Sequence, residues 1–271
     1  MNTPFLVAAF PLDIRPGEVG ENLESVLGFL EGLSEQVRIV LLPEKWTTSF
    51  LVEFSPSMLE QSNQALERVH GYATAHNLVV VGSAPGGDGP KPSNETHVLG
   101  VCGNLRPYRK QMLFSPTGEG RQVLRGNQPP QLVTTPWASL STLICYDLRF
   151  PEITRQAFYD RADLLLVSAQ WPSPRAGVFD LLVRARAAEN QQWVLACNRS
   201  GKVTQGGRSF EFPDSAWLVN PLGEVVASGC SAHPLVGEVD LEAAAQAQKQ
   251  VPCARDLKAA GMWPSSVGGR K

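Results

Sequence analysis

Histidines are scarce in this sequence, and its cysteines are few and scattered. Only four histidines occur among 271 residues, and none lies at a predicted strand end where it would activate a cysteine. The five cysteines are odd in number and widely spaced, with no Cys-x-x-Cys pair. This pattern disfavours a disulfide framework and a zinc site, so we expect reduced thiols and no metal. A cysteine–histidine catalytic pair is disfavoured as well.

Blocks of like charge and membrane-length apolar runs are also missing. Lysine and arginine number 24 against 26 aspartates and glutamates, which gives a net charge of −2. This balance gives no reason to expect a nucleic acid or an anionic membrane as a partner. No apolar run approaches the ~20 residues that a membrane span needs, and no basic segment precedes the first apolar run. We therefore expect a cytoplasmic protein.

The sequence does contain enough apolar residues for a large α/β core. Hydrophobic residues make up 43% of the chain and charged residues 18%, a composition that favours a globular protein over a disordered one. The first half alternates β-rich runs with amphipathic helices. Its predicted strands are 5–10, 37–42 and 78–83, and its predicted helices are 20–33 and 55–73.

The second half repeats this order of elements after a Gly/Pro-rich polar loop at 85–95 and a predicted hairpin of strands 96–102 and 105–108. Its predicted elements are strand 141–145, helix 152–161, strand 164–169, helix 177–192, strand 193–197 and a hairpin of 215–219 with 224–227. Strands that alternate with helices imply a parallel or mixed sheet. Two similar halves make face-to-face packing of two sheets beneath outer helices plausible.

We expect one domain over residues 1–250. Residues 251–271 are rich in proline, glycine and serine, which predicts a C-terminal arm or frayed tail. No residue-level repeat accompanies the similar order of elements in the two halves.

The stretch around Cys145 contains a candidate reactive residue at the end of a predicted strand. The apolar run 141–144 predicts a buried strand, and Pro151 opens a new helix soon after it. A turn between them would expose the Cys145 thiol and the backbone N–H of Tyr146. A free cysteine is just as often a small core residue, so this stretch alone leaves both interpretations open.

Two further reactive side chains follow predicted strands, Glu44 after 37–42 and Lys110 after 105–108. A glutamate can remove the proton of a thiol. A lysine can stabilise the thiolate and then, with the N–H of Tyr146, the oxyanion of a tetrahedral intermediate. With Cys145 as nucleophile, the set suits acyl transfer from an amide. Taken singly, Glu44 and Lys110 would more often be solvated surface residues.

Three motifs together resemble the signatures of the nitrilase (carbon–nitrogen hydrolase) superfamily, and they occur in the family's order. They are LLPE (41–44), YRKQMLF (108–114) and LICYDLRFP (143–151). The similarity continues through QWPSPR (170–175) and RARAAENQ (184–191), so it spans nearly the whole chain.

This resemblance implies a catalytic triad of Glu44, Lys110 and Cys145, with Glu119 as a second, supporting glutamate and Gly126 in the turn before the next strand. It implies no cofactor. The fold it implies is a four-layer α-β-β-α sandwich, usually dimerised through its outer helices, so we expect that fold and a homodimer.

Within the family, the CYDLRFP and WPSPR runs look most like the ω-amidase branch. That branch hydrolyses 2-oxoglutaramate or 2-oxosuccinamate to the 2-oxo acid and ammonia, and the resemblance implies this reaction through a cysteinyl thioester. Two positions depart from the branch: Gln170 replaces its usual asparagine and Met112 a frequent histidine. The alternatives are another C–N hydrolase (deaminated glutathione amidase, N-carbamoyl amino acid amidohydrolase or nitrilase) or a catalytically silent binding protein.

Residues beside the motifs are candidates for contacts with the substrate. Gln170, Trp171 and Arg175 are predicted to bind it, and Arg175 offers a planar fork that would hold a carboxylate through two hydrogen bonds. Asp147 and Arg149 are interpreted as a structural pair that stabilises the turn after Cys145. The other cysteines are interpreted as packing residues: Cys102, Cys197, Cys230 and Cys253.

Overall fold

The computed structural model describes residues 3–51, 53–87, 91–102, 106–205 and 207–264, and these form two large sheets with helices outside them. The helices are α1 (Val19–Glu31), α2 (Pro56–Ala75), α3 (Pro151–Tyr159), α4 (Ala176–Asn190), α5 (Leu241–Gln250) and α6 (Cys253–Ala259). The strands are β1 (Phe5–Ala9), β2 (Val37–Leu41), β3 (Val79–Gly86), β4 (Ser93–Gly100), β5 (Tyr108–Arg109), β6 (Val133–Thr134), β7 (Ser139–Ile144), β8 (Leu164–Ala169), β9 (Trp193–Asn198), β10 (Lys202–Gln205), β11 (Arg208–Glu211), β12 (Ala216–Val219), β13 (Val225–Gly229) and β14 (Leu235–Val239).

Both large sheets are mixed and have a parallel centre. The first has the strand order β14-β1-β2-β3-β4-β5, in which β1, β2 and β3 are parallel. The second has the order β13-β12-β9-β8-β7-β6, in which β7, β8 and β9 are parallel. The prediction of two similar halves with mixed sheets is confirmed.

The central strands are apolar on both faces because both faces are buried. In β2, Ile39 and Leu41 point into a core shared by the two sheets, whereas Val40 points into a core beneath α1 and α2. In β8, Leu166 contributes to the shared core and Val167 to a third core beneath α3 and α4. Successive residues of a strand face opposite sides, so each sheet packs against the other sheet on one face and against helices on the other. The result is a four-layer α-β-β-α sandwich, as predicted.

The predicted polar loop at 85–95 is partly strand. β3 continues to Gly86 and β4 begins at Ser93, and the two pair in antiparallel register, with Pro85 opposite Asn94. The sequence pattern was misleading because buried polar side chains, not apolar ones, occupy the start of β4. The turn predicted at 103–104 lies outside the described residues, as does residue 105. Of the strand predicted over 105–108, only residue 108 lies in a strand, as part of β5.

Several elements near the C-terminus were not predicted: β10, β11, β14, α5 and α6. The segment from 251 onward is not uniformly irregular, because α6 forms within it and Trp263 packs on Phe158 and Tyr159 with ring centroids 5.6 and 5.3 Å away. Among the described residues, no helix combines the length and apolarity that crossing a membrane requires.

Candidate active site

Cys145 is the first residue after β7 and opens a short 3-10 helix, Cys145–Arg149. Its φ of 49° lies in the left-handed region, where a residue with a side chain is held only if its surroundings enforce it. Such strained positions cluster at functional sites. The backbone N–H of Tyr146 lies at the N-terminal end of this helix, where the first N–H groups have no partner within the helix.

Asp147 holds this turn in place. Its Oδ2 accepts hydrogen bonds from the Tyr108 hydroxyl at 2.9 Å and the Ile144 N–H at 3.3 Å. Its Oδ1 accepts one from the Met112 N–H at 2.8 Å. Asp147 therefore ties the cysteine turn to the segment that carries Lys110, which agrees with its predicted structural role. Arg149, in contrast, is exposed and has a different position, beside the cavity described below.

Lys110 lies between two buried glutamates. Its Nζ is 2.8 Å from Oε1 of Glu44 and 3.0 and 2.9 Å from the two carboxylate oxygens of Glu119. All three side chains are at most 1% exposed. Glu119 also accepts a hydrogen bond from the Phe114 N–H at 2.7 Å. The structure thus brings Glu119 to the predicted triad, where its carboxylate contacts the Lys110 ammonium.

Glu44 receives hydrogen bonds from three sides. Besides Lys110, Asn94 donates its Nδ2 to Oε1 at 2.8 Å, and the backbone N–H of Gln170 donates to Oε2 at 3.1 Å. Asn94 was not predicted as a site residue, because it lies in the stretch predicted as a loop. These contacts fix the carboxylate at the carboxyl end of β2, next to the carboxyl ends of β8 and β7.

The backbone of Lys110 is held from two directions. Its N–H donates to the Asn94 carbonyl at 2.9 Å, and its carbonyl accepts from the Gly126 N–H, also at 2.9 Å. Position 126 must be glycine, because a Cβ there would overlap the carbonyl oxygen of Arg109. Gly126, predicted to lie in a turn, is in irregular structure here, and its N–H clamps the lysine segment.

Burial and charge set the ionisation of the thiol and of its neighbours. Burial raises the pKa of the Cys145 thiol well above its usual value; Glu44 adds to this increase through charge and a hydrogen bond, and Lys110 and a hydrogen bond from the Gln170 backbone oppose it. Burial disfavours the charge on Lys110, but Glu119 and Glu44 outweigh it and raise its pKa. Burial likewise opposes ionisation of Glu119, and the neighbouring lysines nevertheless lower its pKa. The resting site therefore holds a protonated thiol beside an ionised lysine–glutamate pair.

A cavity of about 270 Å³ opens above Cys145. Its lining residues are Phe50, Lys110, Phe114, Pro116, Thr117, Cys145, Tyr146, Arg149, Gln170, Trp171, Pro172, Arg175, Val203, Phe210 and Phe212. Among these described residues none is acidic, whereas three are cationic. The ribbon of β10 and β11, which the sequence did not predict, thus supplies part of one wall.

The predicted substrate residues all line this cavity, but in different ways. Arg175 is exposed and its guanidinium lies 5.7 Å from the Phe114 ring centroid. Trp171 is buried, its Nε1 has no hydrogen-bond partner among the described residues, and Arg149 lies 5.5 Å from its ring. Gln170 directs its side-chain amide elsewhere, because its Nε2 donates to the backbone carbonyl of Glu44 at 2.6 Å.

A metal centre finds no support in this arrangement. Within the described ranges, no group of three or more histidine, cysteine, aspartate or glutamate side chains is placed to hold a metal ion. The cation that contacts both buried glutamates is Lys110. What the arrangement provides chemically is a thiol, a carboxylate that contacts it, and donors for a developing oxyanion.

Comparison with known proteins agrees with this geometry. The family model of the carbon-nitrogen hydrolases matches residues 6–249. The chain is 30% identical over 256 residues to the 2-oxoglutaramate amidase of Bacillus subtilis (strain 168), and the match covers 93% of this chain and 97% of that protein.

Solved structures extend the comparison to the fold. A carbon-nitrogen hydrolase from Helicobacter pylori G27 superposes with a TM-score of 0.85 at 18% identity, covering 96% of this chain and 97% of the other. A variant of the amidase from Nesterenkonia sp. AN1, with the acetamide moiety of fluoroacetamide added covalently at its active-site cysteine, has a TM-score of 0.76 at 25% identity over 93% of this chain and 96% of that one. The chain belongs to the carbon-nitrogen hydrolase family.

Proposed function

We propose that this protein hydrolyses the terminal amide of a small 2-oxo dicarboxylic acid, 2-oxoglutaramate or 2-oxosuccinamate, to the 2-oxo acid and ammonia. The observation that carries the proposal is the cavity, which has the Cys145 thiol at its base and two arginines, Arg149 and Arg175, on its walls. Because none of its described lining residues is acidic, it favours an anionic substrate. The similarity to the 2-oxoglutaramate amidase of Bacillus subtilis supports the same substrate class.

In the first half of the reaction, Sγ of Cys145 attacks the amide carbonyl carbon while Glu44 takes the thiol proton. The carbonyl oxygen becomes an oxyanion, which Nζ of Lys110 and the N–H of Tyr146 stabilise by hydrogen bonds. Glu44 then returns the proton to the amide nitrogen, the C–N bond breaks, and ammonia leaves. A thioester between Cys145 and the 2-oxo acid remains.

In the second half, a water molecule takes the place of ammonia. Glu44 removes a proton from this water, the resulting hydroxide attacks the thioester carbonyl, and Lys110 and Tyr146 again stabilise the oxyanion. The C–S bond breaks, the thiolate of Cys145 regains a proton from Glu44, and the 2-oxo acid is released. Glu119 does not touch the reacting atoms in this scheme; it keeps Lys110 charged and fixed.

The 2-oxo acid end of the substrate would lie against the arginines. Arg175 is the candidate for the carboxylate, since a guanidinium presents two parallel N–H donors. Arg149, interpreted from the sequence as structural, is a second candidate because it lines the same cavity. The Nε1 of Trp171 would donate to the 2-oxo or carboxylate oxygen, which would give this buried donor its partner.

An ammonia-release screen tests the proposal. The substrates are the 2-oxo amides derived from glutamine and asparagine, the free amides glutamine and asparagine, N-carbamoyl amino acids, deaminated glutathione and aliphatic nitriles. We expect the two 2-oxo amides to give the highest kcat/KM. Preference for a neutral nitrile or for an N-carbamoyl amino acid would contradict the proposed substrate and would favour one of the sister reactions.

The nucleophile is tested separately. Cys145→Ala should abolish ammonia release with an unchanged circular dichroism spectrum, and mass spectrometry of the wild-type enzyme with a slow substrate should place the adduct on Cys145. Cys197→Ala is the matched control, because Cys197 is also buried but lies in the core between the sheets. An adduct on another cysteine would remove Cys145 from this role.

We further propose that the protein is cytoplasmic and forms a homodimer through its outer helices. Two apolar side chains of α4, Val178 and Leu181, are 38% and 66% exposed, which supports a partner on this face. Sedimentation of the wild type and of Leu181→Lys would test the dimer: the wild type should sediment as a dimer and the variant as a monomer.

A further inference from the structure

Lys45 is a buried lysine for which the proposed reaction has no use. It directly follows Glu44, its side chain is fully buried, and its φ of 47° lies in the left-handed region. Its backbone is fixed, since its N–H donates to Oγ of Ser83 at 2.8 Å and its carbonyl accepts from the Ser49 N–H at 2.8 Å. The residue therefore has little freedom to turn toward solvent.

The ammonium group of Lys45 has no hydrogen-bond partner among the described residues. Its immediate neighbours are aromatic: the Nζ lies 4.5 Å from the ring centroid of Phe50 and 5.4 Å from that of Phe54. Cation–π attraction offsets only part of the free energy needed to remove an ammonium from water. A methionine would fill the same space without this loss, so packing alone gives no reason for a charge here.

The charges of the active site supply a reason. Phe50 lines the cavity, and Nζ of Lys110 lies 6.0 Å from the centroid of the same ring that Lys45 faces. The charged groups that influence the ionisation of Lys45 most strongly through space are Glu119, Glu44, Lys110 and Cys145. Two carboxylates there share one hydrogen-bonded cation, and ionisation of the thiol would add a further negative charge.

We propose that Lys45 is a second cation of the active site, a positioning residue that acts on Cys145 through space from its buried position against the Phe50 ring. Its charge stabilises the Cys145 thiolate and the oxyanion that follows, and it touches neither the substrate nor the reacting atoms. This inference rests on the proposed role of Cys145 as nucleophile, but it does not depend on which amide is the substrate.

The ionisation of Lys45 agrees with such a role. Burial lowers the pKa of Lys45 to about 8, against the opposing effect of Glu119 and Glu44. The ammonium is therefore charged at neutral pH and loses its charge just above it. A cation that is easily lost makes thiol reactivity sensitive to pH in this range.

Alkylation of Cys145 by iodoacetamide tests the inference without any amide substrate. The rate constant is measured from pH 6 to 10 by mass spectrometry for the wild type, Lys45→Met and Lys45→Arg, with Lys249→Met on exposed α5 as the control. At an effective dielectric constant near 20, a positive charge about 10 Å away lowers the pKa of a thiol by roughly one unit. Lys45→Met should therefore hold less thiolate than the wild type at pH 7, where Lys45 is charged, and the two rates should converge above about pH 9, where the pKa of about 8 leaves Lys45 mostly neutral. Because a less acidic thiol is also a better nucleophile, the rate at pH 7 should fall by only roughly three- to tenfold. Lys45→Arg, which keeps the charge, should match the wild type at pH 7, and Lys249→Met should follow the wild type at every pH.

Thermal unfolding separates this role from a structural one. Removal of an unpaired buried charge should leave the melting temperature of Lys45→Met equal to or above that of the wild type, while its alkylation profile moves. An alkylation profile that does not move would overturn the inference, whether the melting temperature is lowered or unchanged. A moved profile combined with failure of the amide screen would reject the proposed substrate and leave the inference about Lys45 standing.

Discussion

Gln170 contacts Glu44 at two points, through its backbone and through its side chain. Its N–H lies 3.1 Å from Oε2 of Glu44, and its Nε2 lies 2.6 Å from the Glu44 carbonyl oxygen. The Oε1 of the same amide accepts from Oγ of Ser49 at 3.2 Å and from Nη1 of Arg199 at 3.1 Å. Gln170 therefore connects a fully buried arginine to the glutamate that we propose as the base.

Shortening this connection should reduce activity without removing it. In Gln170→Asn the backbone contact with Glu44 remains, but the amide is one methylene too short to reach both the Glu44 carbonyl and Arg199. Loss of one net hydrogen bond, about 1.4 kcal/mol, corresponds to a roughly tenfold lower kcat. Steady-state ammonia release measures it, with Gln64→Asn on the exposed face of α2 as control. A kcat equal to that of the wild type would mean that the side-chain contact does not position the base.

Removal of Lys110 should damage both catalysis and stability. Loss of one oxyanion donor is worth roughly 3 kcal/mol, a hundredfold or more in kcat. Two buried carboxylates would also lose their shared cation, which typically destabilises a protein by about 3–5 kcal/mol. We expect both effects in Lys110→Ala, from ammonia release and urea unfolding, and neither in Lys249→Ala. Lys110→Arg should not restore activity, because a planar guanidinium does not replace a compact ammonium between Glu44 and Glu119.

An outcome in which Lys110→Ala keeps most of its activity would take the lysine out of the proposed triad. An outcome in which it loses activity with unchanged stability would mean that the two glutamates find other partners. The two measurements together therefore separate the chemical role of Lys110 from its role in holding the site.

The two glutamates should differ in their effect on the thiol. Glu44 contacts Cys145 and is the proposed proton acceptor, whereas Glu119 contacts Lys110. Glu44→Gln removes the group that takes the thiol proton and should therefore slow iodoacetamide modification of Cys145 near neutral pH, although loss of its charge also lowers the pKa of the thiol. Glu119→Gln should affect modification less, although turnover still falls. Modification is followed by mass spectrometry. Equal alkylation rates for wild type and Glu44→Gln would exclude Glu44 as the base.

The sequence predicted the residues at the centre of the site because they follow predicted strands. Glu44 and Cys145 each follow an apolar run, after the carboxyl ends of β2 and β7 in the parallel centres of the two sheets. Asn94 was missed because the start of β4 is polar, and polar residues beside glycine and proline predict a loop. Its burial depends on partners far away in the chain, above all Glu44, which no local pattern contains.

Lys45 and the ribbon of β10 and β11 were missed for a related reason. A lysine just after a strand is normally solvated, whereas Lys45 is fully buried with Phe50 and Phe54 packed against its ammonium group. The short, mostly exposed strands of the ribbon have no apolar run to mark them. The periodic spacing of apolar residues predicts which side chains pack in a core. It does not predict which side chains are buried around a cavity.

Asp147 makes a contribution to the free energy of unfolding that depends on pH. Burial raises its pKa to about 6, against the opposing effect of Lys110 and of the hydrogen bonds that its carboxylate accepts. An aspartate in the unfolded chain has a pKa near ~3.9, so between these two values the folded state binds the proton more tightly. The contribution is thus complete below about pH 4 and is lost as the pH rises through about 6.

Asp147→Asn removes this titration, so the difference in unfolding free energy between wild type and variant should depend on pH. Because two pKa units correspond to about 3 kcal/mol, the wild type should lose up to that amount relative to Asp147→Asn as the pH rises from 4 to 7. The variant should still be the less stable of the two at pH 4, since its amide N–H₂ cannot accept from Tyr108 or Ile144. Urea unfolding at four pH values measures the difference, and Asp256→Asn on exposed α6 is the control. A difference that stays constant from pH 4 to 7 would mean that Asp147 keeps an ordinary pKa, because its hydrogen bonds then outweigh its burial.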